Sequence, residues 1–129
     1  MCLDAVTYTN SRPLKGDERW AWKAFYVNED GTLESPYCGE LYRRGIWHEA
    51  NGETVRCLTR HRRLVLVAGP EYPCGFHCFA TKRAAESRFG DLEIMRVRIR
   101  KICATGREGR FRVLVAKEMY IPKPKEIRA

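Results

Sequence analysis

Between Ile94 and Ile102, Arg96, Arg98 and Arg100 alternate with Met95, Val97 and Ile99. A period of two is what a half-buried strand requires, with one face apolar and the other wet. The run from Arg110 to Met119 repeats the parity, and 104–109 reads as a turn between the two. Folded back in that register, Ala104 faces Arg110, Ile102 faces Arg112 and Arg96 faces Glu118. One face then carries Met95, Val97, Ile99, Cys103, Phe111, Val113, Val115 and Met119. The other carries Arg96, Arg98, Arg100, Arg110 and Arg112, with Glu118 as the obvious carboxylate partner. Like charges on neighbouring strands destabilise a sheet, so this ladder predicts an anionic partner: nucleic acid, a nucleotide or an acidic protein surface.

Charge elsewhere points the same way. The net charge of +8 is unevenly placed. Residues 1–55 hold six Lys/Arg against nine Asp/Glu, a balance of −3, whereas residues 56–129 hold eighteen against seven, a balance of +11. A basic side on one domain concentrates polyanions near it. Arg56, Arg60, Arg62, Arg63, Lys82, Arg83 and Arg88 add to that side. Arginine presents a planar fork suited to phosphate or carboxylate. Alternate residues on a strand lie about 6.7 Å apart, close to the spacing of successive phosphates on an extended nucleic-acid strand. Trp20, Trp22 and Trp47 could add base stacking if exposed, although tryptophan is usually core or core edge.

The rest of the chain predicts an α+β fold, mostly antiparallel sheet with one or two short helices. A length of 129 residues suits one domain with a core of its own. Residues 1–121 are read as that domain and 122–129, with two prolines and alternating charge, as a flexible basic tail. A strand over 20–28 meets the turn dipeptide Asp30-Gly31 and returns over 32–34. Short extended stretches follow at 40–44 and 46–49, Asn51-Gly52 signals a turn, and 63–68 is an apolar run. Residues 69–73 read as a break. One helix is well punctuated: Thr81 caps it, Lys82–Phe89 forms it, Gly90 closes it, and Ala85 and Phe89 face the core.

Nothing in the opening residues resembles a secretory signal, and no run approaches the roughly 20 apolar residues of a membrane span. Six scattered cysteines (2, 38, 57, 74, 78, 103) then suggest reduced thiols and a cytoplasmic protein with no membrane partner. Cys57, His61, Cys74 and Cys78 are zinc-ligand types. In an extended chain, however, Cys74 and Cys78 would lie about 13 Å apart, too far for one ion. No metal or cofactor is expected. His77 adjoins Cys78, but strand neighbours point to opposite faces and cannot share a proton. GxSxG, P-loop and GxGxxG motifs are absent, and His48-Glu49-Ala50-Asn51-Gly52 lacks the second histidine of HExxH.

The segment Tyr72-Pro-Cys-Gly-Phe-His-Cys-Phe-Ala-Thr-Lys-Arg-Ala-Ala-Glu86, a Gly-Phe-His-x-Phe strand before a capped helix, resembles short, mostly uncharacterised phage and bacterial proteins. The resemblance spans about residues 20–121 and implies no established activity. A more distant resemblance is to ADP-ribosyltransferase-type folds. Leu41-Tyr42-Arg43-Arg44-Gly45 is similar to their early Tyr-Arg-Gly strand, and Phe79-Ala80-Thr81 to their middle Ser/Thr motif. The chain departs from them where Arg44 intervenes before Gly45, where Ser-Thr-Ser is missing, and where no late Glu-x-Glu occurs. That resemblance implies an alternative NAD-dependent enzyme using Arg43, His77 and Thr81. Because every catalytic motif lacks a required residue, the sequence favours a small, basic, non-catalytic binding protein, which the first resemblance implies to be of phage type, over an enzyme.

Overall fold

Strand β9 (Glu93–Glu108) is sixteen residues long, and every part of it is paired. The computed structural model describes residues 5–9, 18–36, 40–50, 54–61, 65–73 and 75–127. In chain order the preceding elements are β1 (Ala5–Thr9), β2 (Glu18–Val27), β3 (Leu33–Glu34), β4 (Leu41–Tyr42) and β5 (Trp47–Glu49). Next come β6 (Thr54–His61), β7 (Val65–Pro73), β8 (Phe76–Phe79) and helix α1 (Lys82–Arg88), and after β9 follow β10 (Phe111–Tyr120) and α2 (Pro124–Ile127). The fold is mostly antiparallel sheet with two short helices, as the sequence pattern implied.

The strand pairings run β1-β9-β10-β8-β2-β3-β4, with β5 added beside β10 and a further β9–β2 pairing. Strands β2, β9, β10 and β8 therefore form a closed circuit. Strands β6 and β7 pair separately. Here β7 continues through Gly69-Pro70 to Pro73, where the sequence reading placed a break. A two-stranded ribbon has edges on both sides, and an edge tolerates the missing donor of proline.

The β9–β10 hairpin forms, but not in the expected register. Residues 104–108 remain in β9, and the turn is Gly109–Arg110, closed by the pair Phe111 and Glu108. Gly109 has φ 60 at the first central position, where two-residue hairpin turns favour glycine. Glu118 consequently faces Arg100 rather than Arg96, and Arg112 faces Arg107 rather than Ile102.

The expected single apolar face is also divided. Lys101 takes φ 58, and the pairing slips between Val115–Ala104 and Ala116–Ile102, leaving Cys103 as an extra residue on β9. Such a bulge bends a strand and resets its alternation. Ile99 and Ile102, three apart, therefore enter the same core. That first core includes Met95, Val97, Leu114, Ala116 and Met119, with Ala21, Phe25, Phe76 and Cys78 from the other strands of the circuit. Cys103, Val113 and Val115 belong instead to a second core with Phe79 and the helix residues Ala84 and Ala85, edged by Trp22, Phe89 and Phe111. Neighbouring residues on β8 and β10 alternate between the two, so the cores lie on opposite faces of the sheet.

Local signals explain the smaller elements. Thr81 is the N-cap of α1, its Oγ1 accepting from Ala84 N at 3.2 Å, and the helix ends at Phe89, whose N–H bonds Ala85 O. At the β2–β3 turn Gly31 has φ 87, and Asp30 Oδ1 accepts from both Thr32 N and Thr32 Oγ1. The segment read as a tail starts with buried Pro122, directly after buried Ile121, whose carbonyl accepts from Gly45 N at 2.8 Å. In α2, Glu126 accepts from Tyr120 OH and Lys123 N.

Gly75 marks the tightest backbone approach. A Cβ there would lie 2.6 Å from Ala116 O and 2.8 Å from Val115 Cγ1, both on the central strand β10. Gly75→Ala should cost about 1–3 kcal/mol, as overpacking does, read as a lower urea midpoint with unchanged m-value.

Candidate functional site

On the outer face of β2, β9, β10 and β5, arginine and aromatic side chains are placed in cross-strand rows. One row reads Trp20, Arg98, Tyr120, Trp47 across the four strands; the next reads Glu18, Arg100, Glu118, Glu49. Trp22 faces Arg96 in a third. These residues share an outer face because Ala21, Val97 and Met119, adjacent along each strand, turn into the first core.

Guanidinium groups lie on the rings. Arg96 sits 4.2 Å from the centroid of Trp20, and Arg100 sits 3.8 Å from that of Trp47. Arg98 is central, 5.8 Å from Trp20, 5.9 Å from Trp47 and 6.0 Å from Tyr120. Trp47 and Tyr120 lie 5.5 Å apart, and Trp20 remains 43% exposed, although large aromatics usually bury. Cation–π contacts of this kind contribute about 0.5–1 kcal/mol each where exposed. The cluster is thus a stacked aromatic–guanidinium surface rather than a bare row of charges.

Its charges are partly compensated. Glu18 pairs with Arg98, and Glu118, which is 3% exposed, pairs with Arg100 and with Lys101 at 2.7 Å. The hydrogen bond from Lys101, with Arg100 beside it, holds the Glu118 carboxyl below its ordinary range against the opposing effect of burial. Stability from this carboxylate is present above the ordinary glutamate pKa and is lost as pH falls through the lowered value. Four cations (Arg96, Arg98, Arg100, Lys101) therefore stand against Glu18, Glu118 and Glu49. Glu118, the obvious carboxylate partner in the sequence, pairs with two of these cations, and Glu18 adds a pair with Arg98, while Glu49 lies beside Glu118 in the same row.

The five arginines do not share one face. Arg112 has the parity of Leu114 and Ala116, on the side of the first core, and it faces Arg107. Arg110 occupies the turn, its guanidinium 5.3 Å from the ring of Phe111. The reason is that alternation breaks on both strands: at Lys101–Cys103 on β9 and, opposite it, between Ala116 and Met119 on β10, which enter the same core three residues apart. Arg96, Arg98 and Arg100 thus make one cluster, and Arg107 and Arg112 another. Glu18, Glu49 and Tyr120 were missed in the sequence. The parity of β10 could have revealed Tyr120, but the acidic neighbours required the strand order.

The residues of the alternative enzyme reading are each engaged locally. Arg43 is exposed after β4, and its carbonyl lies 2.9 Å from His48 Nε2. The Thr81 hydroxyl caps α1. Tyr42, beside Arg43, is buried with its ring against Phe25, Phe76 and His48. His77 is buried, and its Nδ1 lies 3.1 Å from Gly75 O, while Lys23 Nζ donates to His77 O at 2.8 Å. Burial, then the charge of Lys23, lowers the His77 pKa to about 3, so the ring is neutral at pH 7. Cys78 is buried as well, and burial raises its thiol to about 11. The side chains of Cys57 and His61, and all of Cys74, lie outside the described residues, as does the expected Asn51-Gly52 turn. Among the described residues no helix is long and apolar enough to cross a membrane.

The chain matches no known family model, no curated protein and no solved structure.

His77 gives a pH test of the architecture behind this face. An unfolded imidazole takes up a proton below about pH 6.5, whereas the folded one waits until about 3. The unfolded state binds more protons in that window, so stability falls as pH falls through it, by up to ~1.4 kcal/mol per pH unit. The difference in unfolding free energy between wild type and His77→Gln should change with pH between 6.5 and 4.5 and level off above 7. A difference independent of pH would mean that His77 is not held neutral.

Proposed function

We propose that this protein is a non-catalytic binding protein whose Arg96/Arg98/Arg100 face, with Trp20, Trp47 and Tyr120, engages single-stranded nucleic acid. The observation that carries the reading is the row Trp20, Arg98, Tyr120, Trp47, in which a guanidinium is flanked by aromatic rings across four strands. Unpaired bases stack on aromatic side chains and guanidinium planes, and such stacking contributes about 1–3 kcal/mol per base. The alternation also has a spacing suited to an extended strand, since Arg96, Arg98 and Arg100 rise along β9 at about 6.7 Å intervals.

The partial compensation by Glu18, Glu118 and Glu49 bears on how such binding behaves. With one positive charge left over from four cations and three carboxylates, stacking outweighs phosphate neutralisation on this face. Each phosphate neutralised on a single strand contributes a salt slope of about −0.7. A shallow slope, near that of one or two phosphates, is expected. The buried thiols of Cys78 and Cys103 are compatible with a cytoplasmic setting for this binding. The resemblance to ADP-ribosyltransferase-type folds supplies the competing reading, an NAD-dependent transfer through Arg43, His77 and Thr81.

Titration with single-stranded oligonucleotides should quench tryptophan fluorescence, and duplex of the same sequence should bind more weakly. Trp20→Ala should weaken the single-stranded complex by about 1–3 kcal/mol without lowering the thermal midpoint substantially, because Trp20 is already half exposed. Equal affinity of wild type and Trp20→Ala would remove the stacking face from consideration. Turnover of labelled NAD that is lost in Arg43→Ala or Thr81→Ala would instead establish the enzyme.

A further inference from the structure

The sheet treats its arginines in two different ways. On the outer face Arg100 lies directly between Glu18 and Glu118. At the hairpin end, Arg107 lies directly between Ala5 on β1 and Arg112 on β10. On the far side of Arg112, its backbone carbonyl accepts from the N–H of Ala80 at 3.2 Å. This row therefore reads Ala, Arg, Arg, with another alanine at the β8 end, where the outer row reads Glu, Arg, Glu, Glu. Both Arg107 and Arg112 are exposed.

The nearest carboxylate in sequence does not serve them. Glu108 pairs with Phe111 on β10 and turns toward α1, where Arg88 Nε donates to its Oε1 at 2.9 Å. It is thus on the opposite face from Arg107, and its charge is already engaged. Among the described residues, no carboxylate partners either Arg107 or Arg112. Directly opposed like charges destabilise an antiparallel pair. Two guanidinium forks on adjacent strands also offer more donors than a single carboxylate can use, and a tetrahedral phosphate can accept from both.

We infer that Arg107 and Arg112 form a clamp for a phosphomonoester dianion at the tip of the β9–β10 hairpin, separate from the aromatic face. Two fixed positive charges match a group that carries about −1.5 to −2 at pH 7. A phosphodiester, with one charge, leaves the pair half neutralised. The turn supports the geometry. Its two-residue loop, with Gly109 at φ 60, fixes the register that sets Arg107 opposite Arg112 within five residues of chain. The hairpin register makes Arg107 and Arg112 direct cross-strand partners before any ligand arrives, which reduces the ordering cost of binding. The clamp does not depend on the aromatic face, because it lies on the other side of the sheet and shares no side chain with it.

The experiment is a titration of the full chain, labelled with nitrogen-15, with inorganic phosphate, a nucleoside monophosphate and dimethyl phosphate as the diester, following arginine Nε–Hε signals. Inorganic phosphate and the monophosphate at pH 7.5 should shift Arg107 and Arg112 along one saturating curve, while dimethyl phosphate binds at least tenfold more weakly. Lowering the pH to 5, where phosphate becomes a monoanion, should weaken binding by a similar factor. Arg107→Gln and Arg112→Gln should each abolish saturation while the remaining amide spectrum stays in place, whereas Arg107→Lys should retain only part of the affinity. Arg96→Gln should leave the curve unchanged even if the outer face binds nucleic acid, so the two sites fail or succeed independently. The clamp is overturned by any of three results: no saturation, saturation that survives both glutamine variants, or equal affinity for the diester.

Discussion

The structure depends on how β9 changes direction at residues 101–103. A sixteen-residue strand is roughly 50 Å long at about 3.3 Å per residue, more than one small core can cover. The left-handed Lys101 and the extra Cys103 solve that problem by resetting the alternation. Before the reset, Met95, Val97 and Ile99 face a core shared with β2; after it, Cys103 and Ala104 face a core capped by α1. A lysine at positive φ carries a steric cost that glycine avoids. Lys101 meets part of that cost by reaching Glu118 Oε2 at 2.7 Å, a contact beside the one made by Arg100. The bulge and the buried carboxylate are therefore one device: Glu118 anchors the two side chains that flank the point where the strand turns over.

That device determines the distribution of charge. Without the reset, the arginines of β9 and β10 would lie on one wet face and repel one another across the hairpin. With it, Arg96, Arg98 and Arg100 enter a region where β2, β5 and β10 supply glutamates and rings, while Arg107 and Arg112 project at the other end beside alanines. The strong positive balance of residues 56–129 is thus locally neutralised in one place and left concentrated in another. Net charge alone does not tell the two groups of arginines apart. What distinguishes the outer face is the aromatic stacking.

Local chemistry was legible in the sequence wherever it was set by neighbours along the chain. Thr81 as a cap, Asp30-Gly31 as a turn and the half-buried alternation of 94–100 all depend on residues within a few positions. The hairpin was legible as a pair of strands, but its register was not. Ala104, Thr105 and Gly106 resemble a turn in composition, yet β1 pairs with them at Thr9, Tyr8 and Val6 and holds them extended. Neither the unusual backbone of Lys101 nor the membership of Cys103 in a second core leaves a mark in residue type. The same limit applied to Glu18 and Glu49. They are distant in sequence from Arg100 and become its neighbours only because β2 and β5 flank the hairpin.

The outer face also shows why exposed tryptophan is tolerated here. Helix α1 covers the half of that face holding Phe79, Val113 and Val115, and Lys82 lies 5.6 Å from the ring of Trp22 at its margin. Beyond the helix Trp20 is 43% exposed, and Arg96 lies over its ring. A guanidinium is weakly hydrated and planar, so it shields an indole from water while keeping the surface charged and resistant to self-association. Arg98 also lies 5.8 Å from the ring centroid of Trp20, and Arg96 carries no glutamate in its cross-strand position, which is held by Trp22. Under the proposed nucleic-acid reading, a base would meet the exposed part of Trp20 beside a guanidinium plane already placed over the ring, and bases stack on both kinds of group.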